Sequence, residues 1–163
     1  YYAATLSYAL AAERVEARDE GIGLSVLILD TRGKAVEGPL KLGELYRLKA
    51  VLYSSRDRAF LALRLPIPAG AEPIDGSLDT SLAVPPSMDE EAEEYWYYEP
   101  IQRIYDDEVR FLFDSFPRGK REVSLLIRAT SPGSFRTPPA TAELMYEEEV
   151  FGRTSGRTYR IVP

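Results

Sequence analysis

The sequence predicts an all-β fold, an antiparallel β-sandwich with Greek-key links and at most short helical turns. Three observations lead there. Short apolar or alternating segments recur along the chain with turn residues between them. The composition is rich in Tyr (11) and Pro (12), residues of strands and of loops or sheet edges respectively. No long segment has the apolar spacing of an amphipathic helix.

Taken in order, Tyr2 to Leu10 reads as a first strand, with a weak helical alternative over Ala9 to Arg18. Leu24 to Leu29 is an apolar run closed by the turn residues Asp30, Thr31, Arg32 and Gly33, and predicts a buried strand feeding a hairpin. Over Leu45 to Tyr53, Tyr46, Leu48, Ala50 and Leu52 share one parity and are expected to face the core. Ala59 to Leu65 is the next strand, ended by Pro66 and Pro68. Residues 66–99 hold five prolines and the acidic run Asp89, Glu90, Glu91, Glu93 and Glu94; they read as a long irregular crossover with one helical turn over Asp89 to Tyr95.

Strand signal resumes at Ile101 to Tyr105 and Val109 to Phe113, which flank a tight turn at Asp106, Asp107 and Glu108. Val109, Phe111 and Phe113 fall on the inner parity. Lys120 to Ala129 follows with Val123, Leu125 and Ile127 inward; Pro132 and Gly133 turn the chain into Phe135 to Pro138. Ala140 to Tyr146 and Thr158 to Val162 complete a count of about eight or nine strands. Residues 21–163 are expected to be the sandwich, and residues 1–20 an N-terminal strand that completes it or continues from a preceding domain.

Composition excludes several functions. The chain has no Cys and no His, which removes disulfides, thiolate chemistry, the commonest general base and most transition-metal sites. With 20 basic against 26 acidic residues its net charge is −6, and no basic stripe is visible along the sequence, so nucleic acid is not an expected partner. The carboxylates of Asp106 and Asp107, and of Glu147 to Glu149, sit in turns or solvated runs rather than in an acid–base pair. The run at 89–94 lacks the spacing and glycine of an EF-hand loop. No glycine-framed nucleophile, Ser-x-x-Lys or phosphate loop is present. Neither catalysis nor a cofactor or metal is therefore expected. The chain opens at Tyr1 without an initiator Met or signal pattern, as a domain cut from a larger exported protein would. Tyr95, Trp96, Tyr97 and Tyr98 form a candidate aromatic surface for sugars or a partner; the alternative is that they cap the core.

The last third carries a longer pattern: Phe116-Pro117-Arg118-Gly119 before a strand ending Arg128-Ala129-Thr130, then Pro132-Gly133-Ser134-Phe135, then Met145-Tyr146 and Val150-Phe151-Gly152-Arg153. Upstream stand Leu42-Gly43-Glu44-Leu45 and Leu65-Pro66-Ile67-Pro68-Ala69-Gly70-Ala71-Glu72-Pro73. From about Gly21 to the end, this closely resembles the C-terminal macroglobulin-like domain of bacterial alpha-2-macroglobulins. The resemblance implies an immunoglobulin- or fibronectin-III-like sandwich within a large periplasmic or cell-envelope protein, lipid-anchored in some cases. Such a parent traps proteases: a bait segment is cut, the protein rearranges, and a thioester in a separate helical domain reacts with the attacker.

The C-terminal domain would contribute no catalytic group, but pack on the thioester domain and keep water and small nucleophiles away. The partners are then other domains of the same chain and, through the parent, target proteases. Met145 and Tyr146 match the family's Met-Tyr motif and take a shielding role, with Phe151 beside them. The alternative is that they pack in this domain's own core. One departure is visible: Glu147, Glu148 and Glu149 stand where the resemblance expects an Asp-Pro turn. A second functional reading, a carbohydrate-binding or adhesive sandwich module, would use Tyr95, Trp96 and Tyr97.

Overall fold

The structure, a computed structural model, describes residues 2–6, 11, 14–74 and 100–163. They form thirteen strands: β1 (Arg18–Glu20), β2 (Gly23–Leu29), β3 (Leu40–Lys41), β4 (Leu45–Ser54), β5 (Arg58–Pro66), β6 (Ala71–Ile74), β7 (Ile101–Ile104), β8 (Glu108–Phe116), β9 (Gly119–Ala129), β10 (Gly133–Thr137), β11 (Thr141–Leu144), β12 (Glu147–Arg153) and β13 (Arg157–Val162). A six-stranded sheet runs β1-β12-β11-β5-β8-β7, a four-stranded sheet β2-β4-β9-β6, and a three-stranded sheet β10-β13-β3. Pairing is antiparallel throughout, apart from the two-residue contact of β3 with β13 and one isolated bridge.

One core lies between the sheets. Tyr46, Leu48, Ala50 and Leu52 enter it from β4, Leu61, Leu63 and Leu65 from β5, and Val109, Phe111 and Phe113 from β8. The parities expected for β4 and β8 are the observed ones, because each strand has a single buried face and a one-residue slip would expose the whole apolar set. Each fully buried leucine contributes roughly 1.5–3 kcal/mol. The hairpin expected after β2 forms: both Arg32 and Lys34 donate their backbone N–H to the Asp30 carboxylate. Leu27 is 40% exposed, so β2 buries one face rather than two.

Several expectations are corrected. Tyr2 to Leu6 is exposed and forms no strand, and Ser7 to Leu10 lies outside the described residues. The sheet edge open to the N-terminal segment is taken instead by β1, which pairs with β12. Residues 66–99 are not irregular throughout: β6 pairs with β9, with Pro73 accommodated on an edge strand where its missing N–H faces no partner. Glu147 to Glu149 begin β12 rather than forming a loop. The expected helical turn at Asp89 to Tyr95 lies outside the described residues.

Folding also assembles a row that the linear sequence hides. On the outer face of the six-stranded sheet, Arg103 stands opposite Arg110, Arg110 opposite Arg64, Arg64 opposite Thr141, Thr141 opposite Arg153, and Arg153 opposite Arg18. A basic stripe is thus present, contributed by five strands. Much of its charge is met locally. Glu108, buried despite lying in the expected turn, binds Arg64 at 3.2 Å and Arg110 at 2.5 Å. Arg18 pairs with Glu20 at 2.7 Å, and Arg153 Nε donates to the Glu16 carbonyl at 3.1 Å. The hydrogen bond to Glu108 holds the Arg110 guanidinium above its ordinary pKa, and its cation also lies over the Tyr105 ring.

Candidate functional site

The residues singled out for contact lie at one end of the six-stranded sheet. β11 is an interior strand, with Leu144 opposite Leu61 of β5 and opposite Glu147 of β12. Leu144 is buried, and Met145 and Tyr146 then form the two-residue turn into β12. The turn lifts both side chains off the core: Met145 is 45% exposed and Tyr146 78%. The core-packing alternative therefore does not describe them.

Three contacts from β5 hold this turn. The Met145 N–H donates to the Phe60 carbonyl at 2.9 Å. The Phe60 and Tyr146 rings meet edge-to-face with centroids 5.3 Å apart. Arg58 lies 3.7 Å from the Glu147 carboxylate. Phe60 adopts φ 56°, the one non-glycine residue with positive φ among the described residues, and the β5–β8 ladder skips it. The strand changes phase there. Leu61 and its partner Phe113 face the core, and so does Phe116, the partner of Arg58, three residues from Phe113 instead of an even number. Phe113 and Phe116 consequently meet edge-to-face inside the core.

Phe151 stands one register step behind the turn, opposite Glu143, with the Arg18 guanidinium 5.8 Å from its ring centroid. Pairing passes from Glu143–Phe151 to Leu144–Glu147, so Glu148, Glu149 and Val150 bulge out of register. The bulge folds Phe151 back towards the tip, within about 7 Å of strand length from Met145 by way of Glu143. The tip itself joins Met145, Tyr146 and Phe60; Phe151 belongs to the adjoining outer face. Tyr95, Trp96, Tyr97 and Tyr98, and the acidic run at 89–94, lie outside the described residues. Asp106 and Asp107 are exposed in the β7–β8 turn, and Glu147 to Glu149 are exposed on β12. Among the described residues no group of three potential ligands could hold a metal.

The motif stretches noted in the sequence meet in space. The Gly70 carbonyl accepts the N–H groups of Thr130 and Ser131 at 2.8 and 3.0 Å. The Phe135 ring lies over Gly70, whose φ is +85° and whose added Cβ would come 2.4 Å from that ring. The Pro-Ala-Gly stretch and the Ala-Thr-x-Pro-Gly-x-Phe stretch are thus the two halves of one joint. Leu42-Gly43-Glu44 forms a second, where Gly43 N–H donates to the Ala129 carbonyl at 2.7 Å. There the buried Tyr46 hydroxyl accepts from Lys41 N–H at 2.7 Å and donates to Glu44 at 3.2 Å. Burial, helped by the Glu44 charge, raises the Tyr46 pKa.

Residues 21–149 match the family model of the bacterial alpha-2-macroglobulin MG10 domain. The chain belongs to that family. This MG10 domain is 29% identical over 116 residues to an alpha-2-macroglobulin homolog of Nostoc sp. strain PCC 7120, a match covering 71% of the domain and 6% of that protein. Its fold is similar to Escherichia coli alpha-2-macroglobulin activated by porcine elastase, with TM-score 0.79 at 18% identity over 91% of the domain and 14% of that chain. Salmonella alpha-2-macroglobulin reacted with methylamine gives TM-score 0.77 at 18% identity, over 91% of the domain and 10% of that chain. The MG10 domain therefore spans a small part of the proteins it resembles. Sequence reasoning singled out Met145 and Tyr146 through the resemblance but ran the strand Ala140 to Tyr146 through them, where β11 ends at Leu144 and the pair forms a turn. It did not single out Phe60 or Arg58, since nothing in Arg58-Ala59-Phe60-Leu61 signals a positive φ.

Proposed function

We propose that this MG10 domain is a non-catalytic contact domain, at the C-terminal end of a large envelope or periplasmic protease trap. Its Met145–Tyr146 tip packs against the thioester domain of the same chain and shields the thioester from water and small nucleophiles. The observation that carries this reading is the tip itself: two large apolar side chains held on a two-residue turn, 45% and 78% exposed, and fastened to the neighbouring strand. A flexible thioether and a flat ring suit a dry contact. A domain that exposes such groups on a rigid turn leaves them available to a neighbour.

Phe151, with the outer face around it, would flank the same contact. The relatives' printed descriptions fit the reading: one is a protein activated by elastase, another a protein that reacted with methylamine. Methylamine incorporation into the full-length parent tests it. Met145→Glu places a charge in the contact and is expected to speed incorporation by about tenfold, the equivalent of ~1.4 kcal/mol of lost contact energy. An unchanged rate, with the domain still folded, would contradict the shielding role.

A further inference from the structure

We infer that Phe60 is a third member of the contact surface and the buttress that sets the Met145–Tyr146 turn, and that the completed surface fits an apolar socket rimmed by basic side chains on the neighbouring domain. The inference rests on the reading above and names what that site must meet. Three observations carry it. First, Phe60 holds φ 56°, a left-handed backbone that a bulky residue adopts only when its surroundings impose it. Asparagine or glycine would take this conformation readily, so the ring is retained against the local backbone preference. Second, the ring is not there for the core: it is 45% exposed and packs edge-to-face on Tyr146, itself exposed.

Third, the contacts from β5 converge on the turn. The Phe60 carbonyl takes the Met145 N–H at 2.9 Å, and Arg58 reaches Glu147 at 3.7 Å. The buttress therefore fixes both the backbone of Met145 and the ring of Tyr146. The rim follows from sequence and position together. Glu147, Glu148 and Glu149 are exposed directly beside the apolar tip. Glu147 is met by Arg58 within the domain, but Glu148 and Glu149 at the margin of an apolar contact would lose water without gaining a partner unless the facing surface supplies cations. The occupant is accordingly an apolar socket with Lys or Arg at its edge.

The experiment uses the full-length parent and two substitutions that remove the ring yet suit the backbone, Phe60→Gly and Phe60→Asn. Three readouts are taken: thermal stability, hydrogen exchange of the peptide covering residues 144–147, and methylamine incorporation. Both variants are expected to keep or raise the domain's melting temperature, to speed exchange at the turn about tenfold, and to speed amine incorporation about tenfold. Raising salt should speed incorporation in the unaltered chain by screening the rim. Unchanged turn exchange in a folded variant would overturn the buttress, whether or not the parent carries a reactive thioester. Faster incorporation in Met145→Glu with none in the Phe60 variants would overturn the third contact while leaving the shielding role standing. Unchanged rates in all three variants would overturn the shielding role itself. A salt-independent rate would overturn the basic rim.

Discussion

The ring of Phe135 occupies the space that any side chain at position 70 would need: a Cβ added to Gly70 would come 2.4 Å from Cε2 and 2.6 Å from Cζ of that ring. The two residues belong to the separate motif stretches that mark the family in this sequence, and their contact fastens the turn before β6 to β10.

Gly70→Ala is expected to destabilise the domain by about 2–4 kcal/mol, combining a disfavoured backbone with overpacking against a ring. Urea denaturation measures this. Pairing Gly70→Ala with Phe135→Ala removes the clash but not the backbone cost, so the double variant should be less damaged than the sum of the two singles.

Tyr146→Ala is expected to change stability by no more than about 0.5 kcal/mol, because the side chain is 78% exposed. Leu144→Ala, two residues earlier and buried, should cost about 2–5 kcal/mol through the cavity it leaves. Equal losses at the two positions, read from melting curves, would show that Tyr146 packs inward.

Glu108 holds two arginines apart on the outer face of the six-stranded sheet. Glu108→Gln leaves Arg64 and Arg110 directly opposite each other without their shared anion. The expected loss is about 1–2 kcal/mol, moderated because both guanidinium groups are partly in water. Arg64→Ala leaves Glu108 its stronger partner and should cost less. Denaturation at low and high salt separates the two, since added salt should relieve the Arg–Arg repulsion in the Glu108 variant.

Two groups shape the pH profile. Hydrogen bonds from Lys120 and then Lys49 hold the Glu122 carboxyl below its ordinary 4.5. Its folded pKa is depressed, so its stabilisation is complete above 4.5 and is lost as pH falls from there through the lowered folded value. Glu122→Gln should flatten that acid limb slightly, the carboxylate being partly exposed. Tyr46 behaves oppositely: burial raises its pKa above 10.0, so stability is intact below 10.0 and falls as pH rises towards the raised value. Tyr46→Phe should remove that alkaline loss while sacrificing the hydrogen bonds to Lys41 and Glu44. Melting temperatures across pH check both limbs.

What the sequence makes legible is local. Tyr46, Leu48, Ala50 and Leu52 alternate over eight residues, and alternation alone assigns their face. The Met-Tyr pair stands out only through the resemblance of the surrounding motif, and its place on a turn is hidden because Ala140 to Tyr146 alternates like one strand. β12 is obscured because Glu147 to Glu149 disfavour a strand on their own; of the three only Glu147 has a partner on β11, and the ladders with β11 and β1 are carried by Phe151 to Arg153. β3 is two residues long and β6 contains Pro73, so neither carries a recognisable period. The arginine row is a product of register between five strands, which no linear reading assembles. Phe60 is hidden for a related reason: its left-handed φ is imposed by the tertiary contacts that hold it.

The most direct test of the proposed role replaces Tyr146 with a photo-crosslinking phenylalanine analogue in the full-length parent, before any protease is added. The substitution is conservative and sits on an exposed turn, so the fold should be untouched. The expected product is an intramolecular crosslink, found by peptide mass spectrometry, between position 146 and the domain that carries the thioester. A crosslink to any other domain, or none while the chain remains folded, would contradict the placement of the tip against the thioester domain.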